Sequence, residues 1–215
     1  WDKMTAGDYG WNYFGMINVK QKSVKGAGVA ISESSLNLDF VHVYDHQVSE
    51  SDWINAAGIF ARDAKKINIS NSSIYNNDVQ NGDGAGIGVF WSNELSLSNT
   101  TVYDNNAVGD NNCTAGGLIA QGMETVSIVN SIFYDNESRC DHSVRIGNVQ
   151  EYTINHSLIQ NGLNFQDAEN NIGLVQNSIF LDGSLAQWGP TKPSKLTIQN
   201  NLINGGTHLD YEIDK

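Results

Sequence analysis

Four groups of residues in this sequence have types and spacings that could do chemistry. Asp141-His142 with Arg145 three residues on suits lyase or epimerase chemistry on a uronate. There Arg145 would neutralise the substrate carboxylate while His142, with Asp141 beside it, removes the C5 proton. Glu33 and Asp63 form a candidate carboxyl pair for glycoside hydrolysis, which needs about 5.5 Å between carboxyl groups for retention or about 6.5 to 9.5 Å for inversion. Phe60, Phe90 and Trp91 could stack on sugar C–H surfaces, and Arg62, Gln121 and Arg145 could hold a carboxylate or sulfate. Asp104 and Asp110, each followed by Asn-Asn, gather hard oxygens suited to Ca²⁺, the one cofactor the residues suggest. No Asp-x-Asp-x-Asp-Gly loop accompanies them.

Whether these groups meet depends on the elements that carry them, and those elements repeat. Residues 67–77, 95–105 and 126–136 align without gaps, each as a short strand, a one-Asn corner and a second short strand. Weaker copies at 36–38, 152–154, 175–177 and 196–200 bring the number of turns to seven. A third strand opening on small residues precedes the strong copies. Its equivalent positions Val29, Ile59, Ile87, Leu118 and Val144 are spaced by 30, 28, 31 and 26 residues. Three strands of period 2 per repeat, with no helical periodicity between them, exclude leucine-rich, ankyrin and tetratricopeptide solenoids. The spacing predicts an all-β, three-sided parallel β-helix of about seven coils.

In such a coil Ile, Leu and Val stack in the bore, and the corner Asn tolerates a left-handed backbone and can bond to its copy one coil away. Asn71, Asn99 and Asn130 are expected to form a buried corner ladder, continued beyond a break at His156 by Asn177 and Asn200. A second ladder is expected at Asn77, Asn105 and Asn136. Cys113 and Cys140 lie 27 residues apart, close to one local repeat, so the two loops could bring them within disulfide distance. Such a bridge would fit a secreted or surface location.

Composition narrows the partners. The 215 residues include 12 Lys+Arg and 24 Asp+Glu, a net charge of -12 that argues against nucleic acid and anionic membranes. With 40% apolar and 17% charged residues the chain is expected to fold. No stretch approaches the roughly 18 apolar residues of a membrane span, so no membrane insertion is expected. The 27 Asn and 21 Gly, against 2 Pro, suit a solenoid of tight corners. The sequence opens at Trp1 without a basic or apolar leader, which reads as a signal lying elsewhere or as an excised piece. The expected organisation is an N-terminal segment or incomplete first coil over 1–25, the β-helix over 26–206 and a tail over 207–215.

The Gly-Gly/Ala-Ile openings and the Ile-x-Asn-Ser-x-Ile-Tyr-x-Asn phrasing resemble the right-handed parallel β-helix repeats of the pectate-lyase-like superfamily. They are also similar to repeats of bacterial and archaeal surface proteins. The resemblance implies a groove on the outer face of the first sheet, lined by Phe60, Arg62, Phe90, Gln121 and Arg145 with Trp91 beside it. Arg145-Ile146-Gly147 resembles the Arg-Ile-Lys of polygalacturonases, without the Lys or that family's other motifs. Tyr44-Asp45-His46 resembles the Trp-Ile-Asp-His of pectate lyases. The expectation is therefore a secreted or cell-surface protein binding an acidic polysaccharide, as a polysaccharide lyase or glycoside hydrolase if it is an enzyme. The alternative is a non-catalytic adhesin or passenger module. Flanking domains would be further partners.

Overall fold

Alternating apolar residues over three short strands per repeat produce a parallel β-helix, in which each coil hydrogen-bonds to the coils on either side. The computed structural model describes residues 16–17, 28–48, 56–80, 84–107, 115–139, 142–166, 172–181, 185–187, 195–204 and 207–208. Among them every regular element is a strand, and every strand pairing is parallel. The first sheet stacks Val29–Ser32, Ile59–Arg62, Ile87–Phe90, the starts of Leu118–Val129 and Val144–Asn155, then Leu163–Gln166, Leu185–Gln187 and Thr207–His208. The second runs from Ser35–Asp39 through Lys66–Ser70 and Glu94–Ser98 to Lys195–Gln199, taking in the later halves of the two long strands. The third begins with Met16–Ile17 and His42–Tyr44 and ends with Leu202–Asn204.

The bore is filled column by column. Ile59, Ile87, Leu118, Val144 and Leu163 face inward from the first sheet, and Val43, Ile74, Val102, Phe133, Ile159 and Phe180 from the third. All are buried, with Val102 at 0% between Ile74 and Phe133, as the repeat predicts. Large and small residues compensate across coils. A side chain at Gly173 would meet the Tyr152 ring 2.3 Å away, so the glycine makes room for a tyrosine turned into the bore.

Each corner between sheets is one residue in the left-handed region, with φ near +50°. Glu33, Asp63, Trp91 and Asn148 turn the first corner; Asn71, Asn99, Asn130, His156, Asn177 and Asn200 the second; Asp45, Asn76, Asp104 and Asp135 the third. Asn and Asp visit this region at the least cost among residues with a Cβ, which accounts for much of the Asn enrichment.

The ladder at Asn71, Asn99 and Asn130 differs from expectation because these residues are exposed, not buried. Asn99 Nδ2 donates to Asn71 Oδ1 at 3.1 Å, and Asn71 Nδ2 donates to Asp39 Oδ1 at 2.8 Å. At the His156 break, Asn155 substitutes by accepting from Asn177 Nδ2, and Asn200 then donates to Asn177. The buried ladder is the second one: Asn77, Asn105 and Asn136 are at most 1% exposed. Asn77 Nδ2 donates to Asn105 Oδ1, Asn105 Nδ2 to Asn136 Oδ1, and Asn136 Nδ2 to Ser143 Oγ. A further inner ladder of hydroxyls, Ser72, Thr100, Ser131, Ser157 and Ser178, is absent from the sequence reading. Each donates back to the carbonyl two residues earlier.

The first four coils carry a fourth, two-residue strand each: Gln47–Val48, Asp78–Val79, Asn106–Ala107 and Glu137–Ser138. In the coil that begins at Val144 this segment is lost and the coil shortens, so that Leu163 pairs with Val144 only 19 residues later. The turn from third to first sheet then needs only Asn161-Gly162, both at positive φ.

Candidate functional site

Strand register places the expected site residues on the outer face of the first sheet. Ala30, Phe60, Gly88, Ile119, Arg145 and Asn164 form one column; Ser32, Arg62, Phe90, Gln121 and Gly147 form the next. This face divides into an apolar half and a polar half.

In the apolar half Phe60, Phe90 and Ile119 pack with Ala56 into a cluster separate from the bore. Phe60 and Phe90 face outward but are each only 4% exposed, with ring centroids 6.1 Å apart. They therefore do not line an open groove. Apolar side chains one coil rise apart bury more surface against each other than against a hydrated ligand, so they act as a second small core.

Trp91 is 52% exposed, with neighbours from the coils on either side against its ring. The Arg62 guanidinium lies 4.6 Å from the ring centroid. On the next coil a Cβ at Gly122 would meet Trp91 Cδ1 at 2.9 Å. The indole lies between Arg62 and Gly122 and stays half exposed. Arg62 Nε also lies 3.3 Å from Asp63 Oδ2. The same device recurs with Gln121, whose Oε1 would meet a Cβ at Gly147 at 2.3 Å. Side chains on this face lean onto glycines of the following coil.

The polar half is built by three consecutive segments. His142 is buried, and its backbone N–H donates to Ser138 Oγ while its carbonyl accepts from the same hydroxyl. Its Nε2 lies 2.9 Å from Asn164 Nδ2. Asn164 is the strand neighbour of the half-buried Arg145. Asn164 therefore touches His142 and neighbours Arg145 along the column, while Asp141 lies outside the described residues. Asn164 is absent from the sequence reading because its strand follows after an unusually short coil. Gly162-Leu163-Asn164-Phe165 nevertheless has the Gly-apolar-x-apolar opening of the earlier first-sheet strands, and that signal was available.

Glu33 and Asp63 occupy equivalent positions, because Ser32 pairs with Arg62 and the extra residue of the longer turn is absorbed afterwards, where Lys65 N–H donates to Ser34 O. Both are exposed corner residues beside the outer face, not on it, and Asp63 is engaged by Arg62. Asp104 is an exposed third-corner residue. Asp110, Cys113 and Cys140 lie outside the described residues. Among the described residues no group of three or more His, Cys, Asp or Glu is placed to hold a metal ion.

A second ordered row runs along the third sheet. Tyr44, Tyr75, Tyr103 and Tyr134 stack with centroids 4.9, 4.8 and 5.0 Å apart. Burial, reinforced by neighbouring phenols and aspartates, raises the Tyr75 and Tyr103 hydroxyls above the ordinary phenol range. Their rings are covered by neighbours, and what faces outward is an edge. Bond donation to Asp39 by Ser70 and Asn71 holds that carboxyl below the usual carboxylate range, whereas burial pushes Asp78 above it.

No family model matches this sequence, and neither a curated protein nor a solved structure does. The site must be read from its own chemistry. That chemistry offers cationic and amide donors along one sheet, with the rings of Phe60 and Phe90 buried.

Proposed function

We propose that this chain is a non-catalytic β-helix module of a secreted or cell-surface protein, which binds an acidic polysaccharide along the first sheet. The observation that carries the reading is the placement of Arg62 and Arg145 on one outer face, with Gln121 between them, in a chain holding only 12 basic residues. The arginines are three coil rises apart, about 14 Å, so the ligand is an oligomer and not a single sugar. With the rings of Phe60 and Phe90 buried, binding rests mainly on charge-assisted hydrogen bonds in place of stacking.

Catalysis is the second reading, favoured by the contact of His142 with Asn164, the strand neighbour of Arg145. Against it stand the burial of His142 and the engagement of Asp63 by Arg62. Calorimetric titration with polyuronate and neutral oligosaccharides tests the binding. Arg145→Ala should weaken acidic ligands by about 1.5 to 3 kcal/mol and leave neutral ones unchanged. Equal affinities of wild type and Arg145→Ala for every oligosaccharide would remove the proposal. Growth of absorbance from new double bonds during the same incubations would make the protein a lyase instead.

A further inference from the structure

One corner residue of the solenoid breaks the rule that the others keep. Glu33, Asp63, Gly122 and Asn148 turn the first corner on their coils, and Trp91 turns it on the coil between Asp63 and Gly122. Its φ is +47°, in a region where a bulky side chain is disfavoured and Gly or Asn is not. Burial does not offset this, because the ring is 52% exposed. A large residue in a strained backbone position, with little packing in return, points to a role outside the fold itself.

The ring touches Arg62. That residue ends its first-sheet strand, and its guanidinium carbon lies 4.6 Å from the Trp91 ring centroid. Asp63, next in the chain and turning the same corner, brings Oδ2 to 3.3 Å from Arg62 Nε. The guanidinium is thus held on one face by Trp91 and along its Nε edge by Asp63. Gly122 makes room for the indole, since a Cβ there would meet Trp91 Cδ1 at 2.9 Å. Among the described residues no hydrogen bond or ion pair engages Nη1 or Nη2 of Arg62, and its side chain is 41% exposed. Those two nitrogens carry four of the five guanidinium N–H donors and form the edge that fits an acid group with two parallel bonds.

We propose that Trp91 is a positioning residue, which with Asp63 presets Arg62 so that its two Nη groups receive the acid group of the ligand. The inference rests on the reading of the first sheet as a binding face for an acidic polysaccharide. It adds which edge of Arg62 binds and which residue keeps that edge in place. A free arginine gives up rotamer freedom when it grips a ligand, whereas one already held gives up less, and binding is tighter by the difference. Because Asp63 occupies the Nε edge, the ligand meets Arg62 end-on. A neutral sugar has no charged pair of oxygens for that edge and gains nothing from the arrangement.

Two measurements on the full chain test this, one without ligand and one with it. The chain has three arginines, Arg62, Arg139 and Arg145, so nitrogen relaxation of their Nε–H groups gives a simple spectrum, and Arg62→Lys assigns the signal. The Arg62 Nε–H should be rigid in wild type and mobile in Trp91→Asn, with an order parameter below about 0.6. Asn suits this corner, as Asn148 shows, so the variant removes the ring and keeps the fold. In calorimetric titration with oligouronates, Trp91→Asn should bind about two- to tenfold more weakly than wild type. Trp91→Phe, which keeps a ring under the guanidinium, should bind like wild type. In an Arg62→Ala background Trp91→Asn should change nothing further, whereas a ring that stacked on the sugar directly would still matter there. An Arg62 equally mobile in wild type and Trp91→Asn, or the same loss of affinity in both backgrounds, overturns the role of Trp91 and leaves the binding face standing. A wild type that holds Arg62 rigid yet binds no oligouronate removes the binding face, and the receiving edge of Arg62 with it.

Discussion

Two asparagine ladders run along the same solenoid, built of the same residue, and they do different work. At the second corner Asn71, Asn99 and Asn130 are exposed and hold φ near +49°. Asn99 bonds to Asn71 along the outside, where water would serve as well. Near the third corner Asn77, Asn105 and Asn136 are buried, and the left-handed residue is the one before each of them. There the amide completes the backbone. Asn105 Oδ1 accepts from the Asn77 N–H at 3.2 Å and from Asn77 Nδ2 at 2.8 Å, while Asn105 Nδ2 donates to Ile74 O at 3.0 Å and to Asn136 Oδ1 at 2.9 Å. The outer ladder is selected for a backbone conformation, and the inner one for hydrogen bonds that nothing else in a dry corner can make.

If that distinction holds, substitutions of one residue type should differ several-fold in cost. The largest effect belongs to Asn105→Leu. It leaves the buried Asn77 N–H unpaired and takes one bond each from Ile74 O, from Asn77 Nδ2, which keeps Val43 O, and from Asn136 Oδ1, which keeps the Asn105 N–H, and should remove about 3 kcal/mol or more of an unfolding free energy of order 5 to 15 kcal/mol. A urea midpoint within ~1 kcal/mol of wild type would erase the difference between the ladders.

Ser131→Ala comes next. The hydroxyl accepts from the Thr100 N–H at 3.3 Å and donates to Val129 O at 2.9 Å, so its loss strands one buried N–H, for about 2 kcal/mol by the same measurement. Asn99→Ala should cost only about 1 kcal/mol, the penalty of a left-handed Ala, and Asn99→Gly close to nothing. An Asn99→Gly as costly as Asn99→Ala would mean that the exposed side-chain bond, not the backbone, holds the outer corner.

The smallest effects are those of pH. Asp39 begins the outer ladder, and its folded pKa is lowered by the bonds from Ser70 Oγ at 2.7 Å and Asn71 Nδ2 at 2.8 Å. A lowered carboxyl stabilises the fold above its unfolded pKa, and that contribution is lost as pH falls through the folded value. Asp39→Asn should therefore flatten the acid end of the stability curve, below about pH 4. Asp78, raised by burial, acts in the opposite sense. Its stabilisation is present when protonated and lost as pH rises through the raised value, so Asp78→Asn should gain stability at neutral pH. Urea midpoints at neutral and acid pH measure both, and a loss of stability in Asp78→Asn at neutral pH would contradict the sign.

The repeat itself was legible because its signals are local. Alternating Ile, Leu and Val, one polar corner residue and a small residue before each first strand repeat often enough to specify coil, bore and register. Asn77, Asn105 and Asn136 could be aligned for the same reason. Which ladder is dry was not legible, since the two carry the same residue at the same spacing and differ only in which side of the corner the Cβ enters. The inner hydroxyls escaped notice because Ser and Thr are common throughout the chain.

By itself, then, the sequence determined the architecture, through a periodicity that only stacked parallel coils satisfy. Tertiary structure decided everything that depends on what lies above and below a residue. Phe60 and Phe90 alternate outward as read, yet they meet one another and Ala56 and leave the solvent. Trp91 looks like an open platform until Arg62 and Gly122 come against its ring. Asn164 reaches His142 only because the coil has shortened to 19 residues. In a solenoid each side chain's neighbours come from other coils, about 20 to 30 residues away in sequence, and a chain read one repeat at a time does not say which of them will meet.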